Sequence, residues 1–402
     1  MRSLIVKRKN RRNRVRFYLL CNLIILCSLL AISCSPSSPV NRQVTQIPET
    51  VEVTNTPPAI THTPEISRES NIPSAEIDAR MDKLVDYVPL AGLAVGIHYK
   101  DEFYEQGYGL ADVESGMPVT AQTVYKIASL TKSFTAAAIL RLSEEGKLGL
   151  DDPISRFLPG TPEFAKNIQV RHLLNHTSGL PDWSIDMAQE TLPDLFTAAQ
   201  AVEYYFSTVQ NLEFEPGEKS SYNNAGYFLL GAIIENVSGM TYDKYFKVTF
   251  FEPLGLNSSA DCSSQSDLPG YHSVNKQLET ATPPNLKLLG AAGALCSTVG
   301  DMLRWLDALA HGKVIRPETW EQMIAPTKLS DGQVVNYGFG LAIEADSKGP
   351  EISHDGVTAG FNSFFAYYPE QELSIVLLTN TDGFDPPLRG IASSLTSILL
   401  QK

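Results

Sequence analysis

The stretch that decides the fold reads YKIASLTKSFTAAAILRLSEEG, Tyr125–Gly146. Its alanine-rich apolar run predicts a buried helix, because alanine and leucine favour helices and leave no polar face. Ser129 and Lys132 stand three residues apart near its start, so their side chains share one helical face. An ammonium that is buried without partners is costly. The pair therefore indicates either a wet helix face or a site that uses a hydroxyl and an amine together.

A second Ser-x-x-Lys spacing, Ser273 to Lys276, lies in a polar stretch without a helical pattern, so we interpret it as chance. Ser129 differs because a predicted helix sets its distance from Lys132, and the helix start adds backbone N–H groups and a positive dipole end. A serine becomes a nucleophile when a base takes its proton. A lysine can be that base if it is neutral, or as a cation it can lower the pKa of another base.

Strand patterns occupy both ends of the globular part, and helical patterns occupy its middle. A helical pattern begins at Ser74, two strand-like runs follow around a turn at Asp101, and helices with long loops extend from Leu150 to about Trp320. Three strand runs and a closing helix end the chain, at residues 336–345, 361–369, 373–380 and 389–400. This order predicts an α/β fold of the α+β type, in which both chain ends build one antiparallel sheet flanked by helices, with an inserted helical subdomain. A catalytic site is expected in the cleft between the two parts.

The chain is strongly acidic outside its first residues. It has 402 residues and a formal net charge of −13, but eight basic residues and no acidic ones lie between Arg2 and Arg16. Without that segment, 24 basic residues face 45 acidic ones, a net charge of −21. Such a body repels nucleic acid, and no groove-reading motif is present, so we exclude nucleic-acid binding.

The first 33 residues have the pattern of an export signal. After the basic segment comes FYLLCNLIILCSLLAI, Phe17–Ile32, which is shorter than the ~20 apolar residues of a spanning helix. The ending AISC, Ala31–Cys34, resembles a bacterial lipobox, which implies that Cys34 is lipidated and becomes the new N-terminus. An uncleaved anchor is the alternative. In both cases the body is expected to be extracytoplasmic and anchored to a membrane, as in a bacterial lipoprotein.

The composition changes behind the signal and again at residue 74. Residues 34–73 are rich in proline, threonine and serine and show no helical or strand period, which predicts a tether. The chain is therefore expected to consist of a signal peptide at 1–33, a tether with a lipidated cysteine at 34–73 and one globular domain at 74–402.

Two cysteines remain for the globular domain, because Cys21, Cys27 and Cys34 belong to the signal and the anchor. Cys262 and Cys296 would meet in an oxidising compartment, where a single pair can form a disulfide. Two separate buried thiols are the alternative, since free cysteine is common in protein cores.

Two single-copy triplets follow the Ser/Lys pair along the chain. Tyr222-Asn223-Asn224 is the one Tyr-x-Asn of the sequence, and His354-Asp355-Gly356 is its one His-x-Gly. In this order, the motifs resemble those of the serine beta-lactamase and penicillin-binding-protein superfamily, and within it the class C beta-lactamase-related serine hydrolases. The resemblance runs over nearly all of residues 74–402 and includes three signature stretches: LLNHTSGLP (173–181), FEPGEKSSYNNAGYFLLGAIIENVSG (214–239) and HDGVTAGFNSFF (354–365).

The resemblance implies a role for each motif residue. Ser129 is the expected acylated nucleophile, Lys132 a cation or proton shuttle beside it, and Tyr222 the general base, whose phenolate that cation favours. Asn224 is expected to bind Lys132 and the amide of the substrate. His354 stands where many relatives have lysine and is expected to keep a donor near Tyr222.

The resemblance also implies an oxyanion hole made by the backbone N–H groups of Ser129 and Val357, because the strand edge after Gly356 faces the nucleophile. Gly356 fits this place, since a side chain would block the substrate. Asp355 departs from the family pattern, because relatives that bind penicillins or peptide C-termini commonly have Thr or Ser there to hold a carboxylate. If Asp355 faces the cleft, neutral esters and amides should be better substrates than carboxylate-bearing ones. The alternation of strand residues leaves the opposite orientation open.

A metal site is the alternative interpretation of His172 and His176, which stand four residues apart as zinc ligands can. They lack the glutamate of an HExxH motif and a third ligand nearby, so we expect no metal and a structural role for His176. No Gly-x-Ser-x-Gly elbow or nucleotide-binding glycine-rich loop is present, and no cofactor is expected.

The sequence therefore predicts an exported, lipid-anchored serine hydrolase. It is expected to be a monomer that cleaves a small-molecule or peptide amide or ester through an acyl-enzyme on Ser129. A beta-lactamase or D-alanyl-D-alanine carboxypeptidase is the first alternative. A non-hydrolytic envelope protein that binds penicillin or peptidoglycan is the second, because a sensor can keep an acylating serine. Hydrolytic turnover separates the enzyme from the binding protein.

Overall fold

The computed structural model describes residues 70–182, 197–263, 268–283, 285–346 and 349–401. These residues all belong to one compact unit, Ser67–Lys402. The predicted signal peptide, Cys34 and the tether up to residue 69 lie outside the described residues. Within the described ranges, no helix combines the length and the apolar character that a membrane crossing requires.

Strands lie toward both ends of the described residues, as the sequence predicts, and the middle adds short strands to its helices. The strands are β1 Gly92–Tyr99, β2 Glu102–Asp112, β3 Met117–Pro118, β4 Tyr125–Lys126, β5 Ala260–Asp261, β6 Tyr271–Val274, β7 Gln277–Thr280, β8 Leu295–Ser297, β9 Thr327–Lys328, β10 Val334–Val335, β11 Ala342–Asp346, β12 Gly349–Thr358, β13 Phe361–Tyr368, β14 Leu373–Thr379 and β15 Thr381–Asp382. The α-helices are α1 Ser74–Tyr87, α2 Thr131–Glu144, α3 Val170–Leu174, α4 Ala198–Thr208, α5 Asn224–Ser238, α6 Tyr242–Phe246, α7 Glu252–Leu254, α8 Val299–Ala310, α9 Pro317–Met323 and α10 Leu388–Leu399.

One seven-stranded antiparallel sheet forms the centre of the domain, in the order β11-β12-β13-β14-β1-β2-β3. Strand β14, near the end of the chain, pairs with β1 from Leu93 opposite Thr379 to Tyr99 opposite Leu373. The two chain ends therefore complete one sheet, which confirms the predicted fold class.

The alternation of side chains along β1 gives the sheet two buried faces. Leu93, Val95 and Ile97 belong to a core shared with α1 and α10. Ala94 belongs to the larger core shared with α2, α5 and α8, and a Cβ atom on Gly96 would lie 2.9 Å from Cβ of Val299 in α8. Small residues thus let α8 approach this face of the sheet closely.

The domain also includes two residues that the sequence analysis placed in the tether. The side-chain amide of Asn71 donates to Oε1 of Glu102 at 2.7 Å. Ile72 is buried in the same core as Leu93 and Val95. The N-terminal boundary of the packed domain therefore lies before Ser74.

The middle of the chain is less helical than predicted. Besides its helices it contributes strands to two small three-stranded sheets, β15-β6-β7 and β4-β8-β5. The second of these sheets carries a disulfide between Cys262 and Cys296, which is one of the two arrangements that the sequence left open. Strand β4 runs directly into the turn that carries Ser129, so this small sheet supports the site.

Candidate active site

Ser129 lies in the short 3-10 helix Ala128–Leu130, directly before α2 begins at Thr131. Ala128 has a φ of +46°, in the left-handed region, which costs a residue with a side chain about 1–3 kcal/mol. Such a conformation persists only where the surroundings hold it, and Ala128 is buried. The strained turn delivers the Ser129 hydroxyl to within 3.0 Å of Nζ of Lys132, as the spacing in the sequence predicted.

Lys132 is fully buried, and every hydrogen-bond donor of its ammonium group has an acceptor. Nζ donates to Oγ of Ser129 at 3.0 Å, to Oδ1 of Asn224 at 2.9 Å and to the carbonyl oxygen of Ala292 at 2.8 Å. Burial lowers the pKa of Lys132 to about 7, against the charges of Asp182 and Asp355, which raise it. Both forms of the amine are therefore populated near neutral pH, and the neutral form has a lone pair for the Ser129 proton.

Tyr222 stands at the mouth of the same cleft, and 45% of the residue is exposed. Nζ of Lys132 lies 4.8 Å from the centre of its ring. Burial around the hydroxyl raises the pKa of Tyr222, a hydrogen bond with Ser129 lowers it, and the charges of Asp355 and Asp182 raise it further. The net direction is upward, so the structure does not favour the phenolate that the sequence analysis expected. Tyr222 as general base stays a prediction, and Lys132 is the better-placed base.

The position of Tyr222 depends on His176, in the loop before it. The carbonyl of His176 accepts from the backbone N–H of Ser221 at 2.9 Å, and its Nδ1 accepts from that of Asn223 at 3.1 Å. These two contacts, one from the backbone and one from the imidazole of His176, lie on either side of Tyr222, whose ring centre is 4.4 Å from that of His176. His176 has the structural role that the sequence predicted.

His354 is buried on β12, and both of its ring nitrogens have partners. Nδ1 lies 2.6 Å from the carbonyl oxygen of Asp355, which can only accept, so Nδ1 carries the proton. Nε2 then accepts from the hydroxyl of Tyr337 at 3.0 Å. Burial and the neighbouring Lys132 lower the pKa of His354 to about 4, so it is neutral at pH 7. The expected donor from His354 toward Tyr222 is therefore wrong: its only N–H is directed to the backbone.

Strand β12 runs against the turn that carries the nucleophile. A Cβ atom on Gly356 would lie 2.6 Å from the carbonyl oxygen of Ile127 and 2.9 Å from the backbone nitrogen of Ser129. Any side chain at Gly356 would push the strand away from the site, so glycine is required there for close approach. Strand β11 pairs with β12 only up to Ser353, so the following segment of β12, which includes the exposed Val357, forms an open edge beside Ser129. The oxyanion hole expected at Ser129 and Val357 stays a prediction that this placement supports.

A sequence model of the family described as Beta-lactamase matches residues 77–396 of this chain. The chain belongs to the beta-lactamase family. It has the fold of this family, as the three ordered motifs indicated.

Relatives of this family member are penicillin-binding proteins and an amidase. Penicillin-binding protein 4* of Bacillus subtilis (strain 168) is 30% identical over 300 residues, which span 70% of this chain and 66% of that protein, just under two thirds. The octameric penicillin-binding protein homologue from Pyrococcus abyssi is 30% identical with a TM-score of 0.71, over 82% of this chain and 78% of that one. The D-amino acid amidase from Ochrobactrum anthropi SV3, complexed with L-phenylalanine, is 27% identical with a TM-score of 0.66, over 77% and 92% of the two chains. The Pyrococcus homologue is an octamer and lends no support to the predicted monomer.

Asp355, the middle residue of the family's third motif here, is exposed. Side chains alternate along β12, so Asp355 shares a face with Ser353, whose Oγ accepts from Arg389 in α10 at 3.1 Å. The side chain therefore points away from the face that carries His354. Its charge still reaches the site, because it raises the pKa of both Lys132 and Tyr222.

The two histidines of the alternative zinc site have other partners. Nδ1 of His172 accepts from the backbone N–H of Gln169 at 3.1 Å, and Nδ1 of His176 accepts from Asn223. Among the residues that the structure describes, no three His, Cys, Asp or Glu side chains are grouped to hold a metal ion.

Sequence reasoning missed three groups of this site. Tyr337 was assigned to a strand, whereas the structure places it in the loop before β11, against His354. The carbonyl of Ala292 and the carboxylate of Asp182 were not singled out at all. No local signal marks them, because each acts through a contact between segments far apart in the chain.

Proposed function

We propose that the chain hydrolyses amides or esters through an acyl-enzyme on Ser129, with Lys132 as the proton carrier. The observation that carries the proposal is the 3.0 Å hydrogen bond between Nζ of Lys132 and Oγ of Ser129, made by a fully buried amine. A base whose pKa is about 7 matches the requirement for proton transfer near neutral pH.

The chemistry follows from these positions. Neutral Lys132 takes the proton of Ser129 while Oγ bonds to the carbonyl carbon of the substrate, whose oxygen becomes an oxyanion. The Lys132 ammonium then gives that proton to the leaving nitrogen or oxygen, and the C–N or C–O bond breaks. An acyl ester remains on Ser129. Water attacks this ester by the same proton path and releases the acid.

The charges around the nucleophile support uncharged or cationic substrates over carboxylates. The donors of Lys132 are already committed to three protein acceptors, so Lys132 has none left for a substrate carboxylate. His354 is neutral, while Asp182 and Asp355 are both exposed and act on the site. A D-amino acid amidase is among the similar structures, which supports amides of D-amino acids as the substrate class to test first.

A substrate panel on the purified full chain tests this proposal. We expect turnover of short-chain nitrophenyl esters and of D-phenylalaninamide, and slower turnover of nitrocefin. Fast nitrocefin hydrolysis would instead support a beta-lactamase, and release of D-alanine from D-alanyl-D-alanine peptides a carboxypeptidase. Stable labelling by penicillin without any turnover would support the non-hydrolytic binding protein and refute the enzyme.

Asp355→Thr is expected to raise kcat/KM for carboxylate-bearing substrates about fivefold, because it removes an exposed negative charge that acts on Lys132 and Tyr222 in the site. The neutral nitrophenyl esters serve as the internal control and should change less than twofold. Assays of both substrate kinds at low and high salt check that the effect is electrostatic. An equal change for esters and penicillins would show that Asp355 does not read the charge of the substrate.

We also propose that the chain is exported and anchored by lipid on Cys34, which the lipobox-like ending and the tether behind it support. Expressed in a bacterial host, the full chain should incorporate labelled palmitate and sediment with membranes. Cys34→Ala should lose the label, whereas Cys27→Ala, in the apolar part of the signal, should keep it. Equal labelling of the Cys34→Ala variant and the wild type would contradict lipidation at this residue.

A further inference from the structure

Asp182 follows His176 along the chain, and it contacts the start of α5. Its Oδ1 accepts from the backbone N–H groups of Asn224 at 2.8 Å and of Ala225 at 3.1 Å. Its Oδ2 lies 3.3 Å from Nδ2 of Asn224. The NH2 group of Asn224 is thus directed toward a carboxylate, and its carbonyl Oδ1 faces Lys132, from which it accepts at 2.9 Å. The orientation of this amide is determined at both of its ends.

We propose that Asp182 is a positioning residue for the reaction at Ser129 and that it acts through Asn224 on Lys132. Without Asp182, the Asn224 amide can turn its NH2 group toward the Lys132 ammonium, which places two donors against each other. Lys132 would then lose one of its three acceptors and its fixed place beside Ser129. The inference rests on the proposed function, because it concerns the efficiency of that same hydrolysis.

A purely structural role as the cap of α5 does not explain this arrangement. Asn223 already caps the helix, since its Oδ1 accepts from the backbone N–H of Gly226 at 2.6 Å. Nδ2 of Asn223 donates to the carbonyl of Leu180 at 2.7 Å, which anchors the helix start to the same loop. Asp182 accepts from two further N–H groups of this helix start, and it also supplies what Asn223 does not, namely a partner for the Asn224 side chain and a negative charge near the site.

The charge of Asp182 has its own consequence for the pH profile. It favours the protonated form of Lys132 and so raises the pKa of this amine against the effect of burial. Loss of the charge lowers that pKa, and the neutral base is then populated at lower pH. Among the residues that the structure describes, the other titratable groups around Lys132 are one carboxylate, two imidazoles and two phenols: Asp355, His176, His354, Tyr222 and Tyr227.

The test compares Asp182→Ala, Asp182→Asn, Asn224→Ala and the double variant Asp182→Ala/Asn224→Ala in the full chain. Asp182→Ala should lower kcat about 10- to 100-fold with KM changed less than about threefold, as expected for a misplaced catalytic group. Asp182→Asn keeps an oxygen that can accept from Asn224 and should recover most of kcat. On the acid side of the pH profile (the acid limb), kcat/KM falls as Lys132 becomes protonated. In this variant the midpoint of that fall should move down by about half a pH unit. The double variant should be no slower than Asn224→Ala alone.

Asp331→Asn is the matched control, because Asp331 is also exposed and its Oδ1 accepts from a backbone N–H, that of Gln333, at 2.8 Å. It should leave kcat and the acid limb unchanged. The inference is overturned if both Asp182 variants keep the kcat and acid limb of the wild type. It is equally overturned if the losses add in the double variant. If the Asp182 variants lose thermal stability and nothing else, Asp182 is a helix cap and the positioning role is refuted. If the wild type shows no hydrolysis at all, this inference and the proposed function are overturned together.

Discussion

Ser129→Ala is expected to lower hydrolysis of the best substrate by at least about 10⁴-fold, because Oγ of Ser129 is the atom that forms the acyl bond. A fluorophosphonate probe should label the wild-type full chain, and this label should disappear in the variant. The fold should persist, since Ser129 is only partly buried and its neighbours Ala128 and Leu130 make the apolar contacts of the turn.

The chain contains its own control for this experiment. Ser273 has the same spacing to Lys276, but it lies in β6, and Asn275 and Lys276 form a turn with positive φ values of 50° and 65°. No helix directs that lysine to that serine. Ser273→Ala should therefore keep full activity and full labelling. A label that persists in Ser129→Ala, or that maps to Ser273, would refute the assignment of the nucleophile.

Lys132→Met is expected to lower kcat/KM by about 10²–10⁴-fold, the range typical of losing a general base. The variant removes an ammonium whose burial is costly, but it leaves the buried acceptors of Asn224 and Ala292 without this donor, so the midpoint of thermal unfolding should fall only modestly while the fold persists. In the wild type the neutral amine is the active form. The kcat/KM value should therefore rise with pH and level off above the Lys132 pKa of about 7. Rate–pH profiles between pH 5 and 9 check this limb.

Two further variants identify the base. Tyr222→Phe removes the hydroxyl but keeps the ring over Nζ of Lys132, so a smaller loss than in Lys132→Met would support the lysine as the proton acceptor. A loss as large as that of Lys132→Met, together with a wild-type kcat/KM that is still rising with pH well above pH 7, would favour the Tyr222 phenolate instead. Lys276→Met, in the second Ser-x-x-Lys spacing, should keep the kcat/KM of the wild type.

Much of the site was predictable because its signals are local. Ser129 and Lys132 are one helical turn apart, so the helix periodicity alone predicts that they meet. The single-copy triplets at Tyr222 and His354 identify the family, and the strand patterns at both ends predict a sheet that they complete. The disulfide between Cys262 and Cys296 remained open, because residue spacing does not determine whether two thiols meet.

The ionisation of the site could not be predicted from the motifs. The sequence led to a Tyr222 phenolate and to a His354 that donates toward Tyr222. The structure instead raises the pKa of Tyr222, and it makes His354 neutral with its N–H directed to the backbone. Ionisation depends on desolvation and on charges within a few ångströms, and neither is encoded in the spacing of a motif.

The sequence by itself determined the family, the three motifs and the sheet built from both chain ends, because these depend on residue order and local periodicity. Only the tertiary structure decided how Lys132 is held. Its partners Asn224 and Ala292 lie 92 and 160 residues away, and Asp182 reaches it through Asn224. Such contacts arise when distant segments pack around one buried amine. The low dielectric of that packing gives Lys132 a pKa near neutrality and makes it able to act as a base.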